Sequence, residues 1–92
     1  MDLNELRRQI DAVDEQLIAL LEKRLDISAA IGAYKSSHGL PVLDQSREEA
    51  KVRAVRAQCR QQTADLIGDL YGPIIAASRT YQARLREDEN GR

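Results

Sequence analysis

Between Leu6 and Tyr34 apolar residues return every three or four positions. They run Leu6, Ile10, Val13, Leu17, Leu20, then Ile27, Ile31 and Tyr34, with Arg24 in the slot that the pattern skips. No Gly or Pro interrupts before Gly32, Asp2 or Asn4 can cap the start, and Glu5 suits a first helical turn. The spacing predicts one helix over residues 1–36. Its roughly 30 patterned residues would extend about 45 Å at 1.5 Å per residue, longer than a compact globule of this chain length is wide. Such a helix must be covered from outside its own subunit, and a chain of 92 residues is short enough for a partner to matter to its stability.

The rest of the chain divides cleanly. Ser36 to Val42 holds the breakers Gly39 and Pro41, after which Ser46 and Glu49, at capping-box spacing, open a second helix over 44–60. Its apolar face is thin, Val52, Val55 and Cys59 among alanines, so it should cover a site or a seam rather than form a core. Gln61-Gln62-Thr63 is a polar joint. A third helix over 64–86 carries Leu66, Ile67, Leu70, Tyr71, Ile74 and Ile75, then Ser78, Tyr81, Gln82 and Leu85, on one broad face. Gly72-Pro73 within it predicts a kink near Asp69, and the charged tail 87–92 should fray. The expected fold class is all-α, a single domain over 1–92 with three helices per subunit and a long first helix that calls for a partner subunit.

Composition narrows the function. With three Tyr and no Phe or Trp, a sandwich or barrel is disfavoured. A net charge of −1 with interspersed signs gives no global field to draw in nucleic acid or a membrane surface. The start, Met1-Asp2-Leu3-Asn4-Glu5, lacks a basic leader followed by an apolar core, and no apolar run nears the roughly 20 residues that span a bilayer, so the expected location is cytoplasmic. One Cys and one His form neither an intrachain disulfide nor a structural zinc site. Cys59 reads as a small filler and His38 as an exposed loop residue; no metal or cofactor is expected.

Polar residues on apolar faces carry the chemistry. Arg24 in the seam must meet something anionic, and an interhelical ion pair would serve. Lys35 lies 11 residues on, within about 20° of the same direction, with Ile31 between them; two cations and an aliphatic wall can outline a pocket for a small anion. Arg7 flanks the seam about 26 Å from Arg24 along the axis, too far to share one small ligand within a chain. If two such helices pack antiparallel about a two-fold axis, Arg7 of each approaches Arg24 and Lys35 of the other. Ser78 and Gln82, one turn apart on the third helix, need partners, either local or from a ligand. Asp44, Arg47 and Glu48 cluster at the second helix start, where a solvated cap is the plainer reading.

In order, L-R-x-x-I-D-x-x-D-x-x-L-x-x-L-L-x-x-R (Leu6 to Arg24), I-G-x-x-K (Ile31 to Lys35), P-V-x-D-x-x-R-E (Pro41 to Glu48) and I-I-x-x-S-x-x-x-Q (Ile74 to Gln82) resemble the AroQ chorismate mutases over nearly the whole chain. The resemblance implies an intertwined homodimer with two active sites, each taking Arg7 from the other chain. By position, Arg24 and the partner's Arg7 would bind the two carboxylates of chorismate, assisted by Ser78. Lys35 and Gln82 would hydrogen-bond the ether oxygen. Asp44, Arg47 and Glu48 would line a lid, with Glu48 and the backbone near Asp44 at the ring hydroxyl, and Ile31 would form an apolar wall.

The implied reaction, chorismate to prephenate, is a pericyclic rearrangement that requires no nucleophile, metal or obligatory acid-base pair. It suits a chain that offers clamps and donors instead. Gly72-Pro73 falls outside the pattern. Two other reactions share the fold: isochorismate pyruvate lyase and the 4-amino-4-deoxychorismate mutases. The lid Asp44-x-x-Arg47-Glu48 with Ser78 and Gln82 favours chorismate itself. A reading from another class, a non-catalytic dimerisation module with Arg24 setting register, leaves Lys35, Ser78 and Gln82 without a role.

Overall fold

The long first helix is present, with its ends set by local chemistry. The computed structural model describes residues 2–90; Met1 at the start, and Gly91 and Arg92 from the expected frayed tail, lie outside the described residues. α1 spans Leu3–Ser37, α2 spans Gln45–Gln58 and α3 spans Ala64–Asn90, with no strand among the described residues. Asp2 caps α1, its carboxylate accepting from the Glu5 amide at 2.8 Å. At the other end Gly39 adopts φ +65° and the Leu40 amide reaches back to the Lys35 carbonyl at 2.8 Å, a glycine-dependent helix stop. His38 is exposed there, its ring stacked on Tyr34 with centroids 3.9 Å apart.

The capping expectation for α2 is corrected. Asp44, not Ser46, is the N-cap: its Oδ1 accepts from the Arg47 amide and from Ser46 Oγ, both at 3.1 Å. Ser46 lies inside the first turn with its hydroxyl committed to Asp44, while Glu49 accepts from Gln45 Nε2 at 3.2 Å. An ionised carboxylate already placed before the helix is the stronger acceptor for these donors. Cys59 caps the far end, half-buried, with Sγ donating to the Val55 carbonyl at 3.2 Å.

α3 continues through Pro73 and past residue 86, where the sequence placed its end. No Gly or Pro follows Pro73 until Gly91, and Glu and Arg dominate the intervening polar positions, so nothing stops the helix sooner. Pro73 has no amide to offer the Asp69 carbonyl one turn earlier. Beside that turn Arg56 of α2 pairs with the exposed Asp69 carboxylate at 3.1 Å.

α3 lies between the other two, packing on α1 along one side and on α2 along the other. Among the described hydrophobic residues only Val55 and Ile75 are buried, and Leu6, Ile10, Val13, Leu17 and Leu20 remain 46–63% exposed. The accessible surface is 7385 Å², whereas a compact chain of 10.3 kDa exposes about 5,400 Å². The radius of gyration, 16.6 Å, likewise exceeds the roughly 12 Å of a compact domain. The first half of α1 therefore presents its apolar stripe largely uncovered by the described residues of its own chain. No described helix is long and apolar enough to cross a membrane.

Candidate functional site

Where the second half of α1 crosses α3, small residues let the helices approach and polar ones bind them together. Ser28 and Gly32 are buried one turn apart on α1. A Cβ on Gly32 would stand 2.9 Å from Gln82 Cγ, so glycine is what admits the Gln82 stem against the helix. Gln82 Nε2 donates to the Ser28 carbonyl at 2.8 Å, and Ser28 Oγ donates to the Ser78 carbonyl at 3.4 Å. Ser78 and Gln82 are each 8% exposed; the Ser28 carbonyl answers the burial cost of the Gln82 amide, and the Ser78 hydroxyl takes its partner from Arg24.

Arg24 meets α3 rather than a carboxylate: Nη1 donates to Ser78 Oγ at 2.6 Å, and the guanidinium carbon lies 5.6 Å from the Tyr71 ring centre. The interhelical ion pair considered for Arg24 is absent from the described contacts, and Ser78 uses an interhelical partner rather than back-bonding to its own helix. Lys35 is half-buried, and Nζ donates to the Val42 carbonyl at 3.1 Å, tying the end of α1 to the loop before α2.

These side chains surround one cleft of about 500 Å³. α1 contributes Arg24, Ile27, Ser28, Ile31 and Lys35 to its wall; α3 contributes Ile75, Ser78, Arg79 and Gln82. Val42, Asp44, Arg47, Glu48 and Lys51 close it from the loop and the start of α2. Every site residue expected from the sequence except Arg7 thus lines a single space within one chain. Arg7 stands exposed on the free half of α1, 17 residues and about 26 Å of helix from Arg24.

The cleft is strongly cationic. Arg24, Lys35, Arg47, Lys51 and Arg79 face it against two acids, Asp44 and Glu48. Asp44 is held below the usual carboxylate range, first by the hydrogen bond from the Arg47 amide, then by that from Ser46, with smaller help from the charges of Lys35 and Arg47. Glu48 is about three-quarters covered, and its Oε2 lies 2.8 Å from Arg79 Nε on α3. That Nε is buried, yet its N–H is not aligned on the carboxylate, so the contact is one of charge rather than a directed hydrogen bond. Ser28 and Arg79 were not singled out from the sequence. Ser28 could have been found, since it sits one turn from both Arg24 and Gly32 on the same face; Arg79 looks like any surface arginine on a helix.

A cleft of this size with an excess of cations, an apolar wall and no free carboxylate pair is built to hold a small polyanion. Residues 6–83 match the family model described as chorismate mutase type II. The chain is 40% identical to the T-protein of Haemophilus influenzae over 74% of its own length and 19% of the relative's. It is 38% identical to the T-protein of Enterobacter agglomerans over 86% of its length and 22% of that protein. The chain therefore spans about a fifth of the length of these T-proteins. It is also 38% identical to the 4-amino-4-deoxychorismate mutase of Streptomyces venezuelae over 60% of this chain and 54% of that one. Among solved structures, a conserved hypothetical protein from Pyrococcus furiosus superposes with a TM-score of 0.73 at 36% identity, covering 87% of this chain and 93% of that one. From Leu6 to Ala83 this chain belongs to the chorismate mutase type II family.

Proposed function

We propose that this chain is a chorismate mutase that converts chorismate to prephenate in a site completed by a second copy of itself. The observation that carries the reading is the convergence of Arg24, Lys35, Ser78 and Gln82 on one cleft, each with hydrogen-bonding capacity left over. The Lys35 ammonium has three N–H groups and gives one to Val42. The Gln82 amide has two and gives one to Ser28. Ser78 Oγ accepts from Arg24 and retains its own proton to donate.

The reaction breaks an ether C–O bond as a C–C bond forms, with electrons moving around one ring of atoms and no group transferred. Two tasks fall to the protein. Arg24, assisted by Ser78, holds one carboxylate and the partner's Arg7 the other, which keeps the substrate in the folded conformer where the bonding carbons meet. The remaining N–H groups of Lys35 and Gln82 face the ether oxygen and stabilise the negative charge that grows there in the transition state, without having to reorganise. A million-fold acceleration corresponds to about 8 kcal/mol, within reach of orientation plus two preorganised donors. Ile31 supplies the apolar wall, and Asp44, Arg47 and Glu48 close over the ring.

The homodimer is supported by the apolar stripe left open on α1 and by the surface excess of the single chain. Antiparallel pairing of two α1 helices covers the stripe and carries each Arg7 towards the other chain's cleft. A second reading, mutase activity on 4-amino-4-deoxychorismate, is favoured by the Streptomyces relative; chorismate is preferred because Glu48, the acid closest to the ring in this arrangement, is already matched by Arg79.

The test is loss of chorismate absorbance with purified protein, products separated by chromatography, beside Lys35→Ala and parallel reactions with isochorismate. Prephenate formation that falls by roughly 10²-fold or more in Lys35→Ala is expected. Pyruvate and salicylate from isochorismate with little prephenate would assign the site to the lyase reaction. No turnover of either substrate would leave a dimerisation module.

A further inference from the structure

We infer that Arg79 is a specificity-determining residue: by cancelling the charge of Glu48 without occupying its lone pairs, it selects a ring hydroxyl over a ring ammonium. The inference rests on the mutase reading above. Of the two acids in the cleft, Asp44 is exposed and spends Oδ1 on the first turn of α2. Glu48 is the other, mostly covered and facing the space enclosed by α1 and α3. An isolated carboxylate there would attract any cationic substituent on a ligand. Arg79 Nε at 2.8 Å removes that attraction.

The alignment matters as much as the distance. Because the Arg79 N–H does not point along the line to Oε2, the Glu48 oxygens keep acceptor capacity for a ligand O–H. Glu48 thus accepts a hydrogen bond as a charge-matched group, which suits a neutral hydroxyl. An alkylamine at the same ring position carries a proton at neutral pH, and it would meet a carboxylate already satisfied electrostatically with a guanidinium behind it.

Chorismate and 4-amino-4-deoxychorismate differ at this substituent and share both carboxylates, so any change in carboxylate binding cancels in the ratio of their kcat/KM values. A loss of folded protein cancels as well, since both rates come from one preparation. The experiment measures that ratio for the parent dimer, Arg79→Met and Arg79→Lys; where turnover of the amino substrate is too slow, its inhibition constant against chorismate replaces its kcat/KM. Arg79→Met is expected to shift the ratio towards the amino substrate by about ten-fold, and Arg79→Lys, which keeps the charge, by no more than about three-fold. Adding Glu48→Gln to Arg79→Met is expected to remove the gain. A ratio unchanged in Arg79→Met overturns the inference, and so does a gain that survives Glu48→Gln. A parent that forms prephenate with a flat ratio rejects the role of Arg79 alone, whereas a parent that turns over neither substrate rejects the mutase reading with it. If Arg79→Met does not fold, Arg79→Gln is read in its place.

Discussion

Gly32 is the residue at which packing and chemistry meet. Alanine in a helix interior is ordinarily about 1 kcal/mol more stable than glycine, but here the added Cβ would press on Gln82 Cγ at 2.9 Å, and the Gln82 side chain could give way only by leaving its place against α1. Gly32→Ala is therefore expected to displace the Gln82 amide from the Ser28 carbonyl and lower kcat by about ten-fold or more, with no gain in melting temperature. Turnover and thermal unfolding of the variant check this, and a more stable variant with full activity would contradict it. Arg24, Lys35, Ser78 and Gln82 were legible in the sequence for a common reason: each is a polar group on a stripe that is otherwise apolar. Ser28 lies one turn from Arg24 on the same face but was passed over, because a small hydroxyl residue is unremarkable inside a helix. So was Arg79, whose importance comes entirely from Glu48 on another element, 31 residues away.

At the scale of the element, the start of α2 couples the site to pH. The Asp44 carboxylate is held below its ordinary value near 3.8 by the Arg47 amide and Ser46. A depressed carboxyl stabilises the fold in its ionised form. Its contribution is full above the unfolded value and is lost as pH falls through the lower folded value. Asp44→Ala should thus melt at a lower temperature than the parent at pH 7, and the gap should close as the pH drops below about 4. Melting curves from pH 7 to pH 3 measure it, and a gap constant over that range would count against the cap. Helix count, order and approximate extent followed from spacing and breakers, but the ends did not. Ser46 and Glu49 had the spacing of a capping box, yet Asp44 accepts the first-turn donors before they can form one. The end of α3 was placed too early because charge was read as fraying, although Glu and Arg are good helix formers.

At the scale of the molecule, a stripe of five aliphatic side chains on α1 remains about half exposed. Covering such side chains is worth roughly 1–2 kcal/mol each, enough to make folding and association one event. The melting temperature should rise with protein concentration, and Ile10→Asp should yield a chain that sediments as a monomer and is largely unfolded. A concentration-independent melt with a folded Ile10→Asp monomer would argue that the stripe has no partner. The periodicity of the first helix asks for such a partner, and that the partner is a second copy of this chain is the proposal these measurements test.

Subunit mixing tests the central claim, a mutase site built from two copies of this chain. Arg7→Ala and Lys35→Ala are purified separately, each expected to be nearly inactive, then unfolded together in equal amounts and refolded. In a heterodimer one site receives Lys35 from the first variant and Arg7 from the second, and the other site receives neither. With random pairing about a quarter of the parental chorismate mutase activity should return. A mixture no more active than the two variants apart would contradict a shared site, and with it the account of how this chain works.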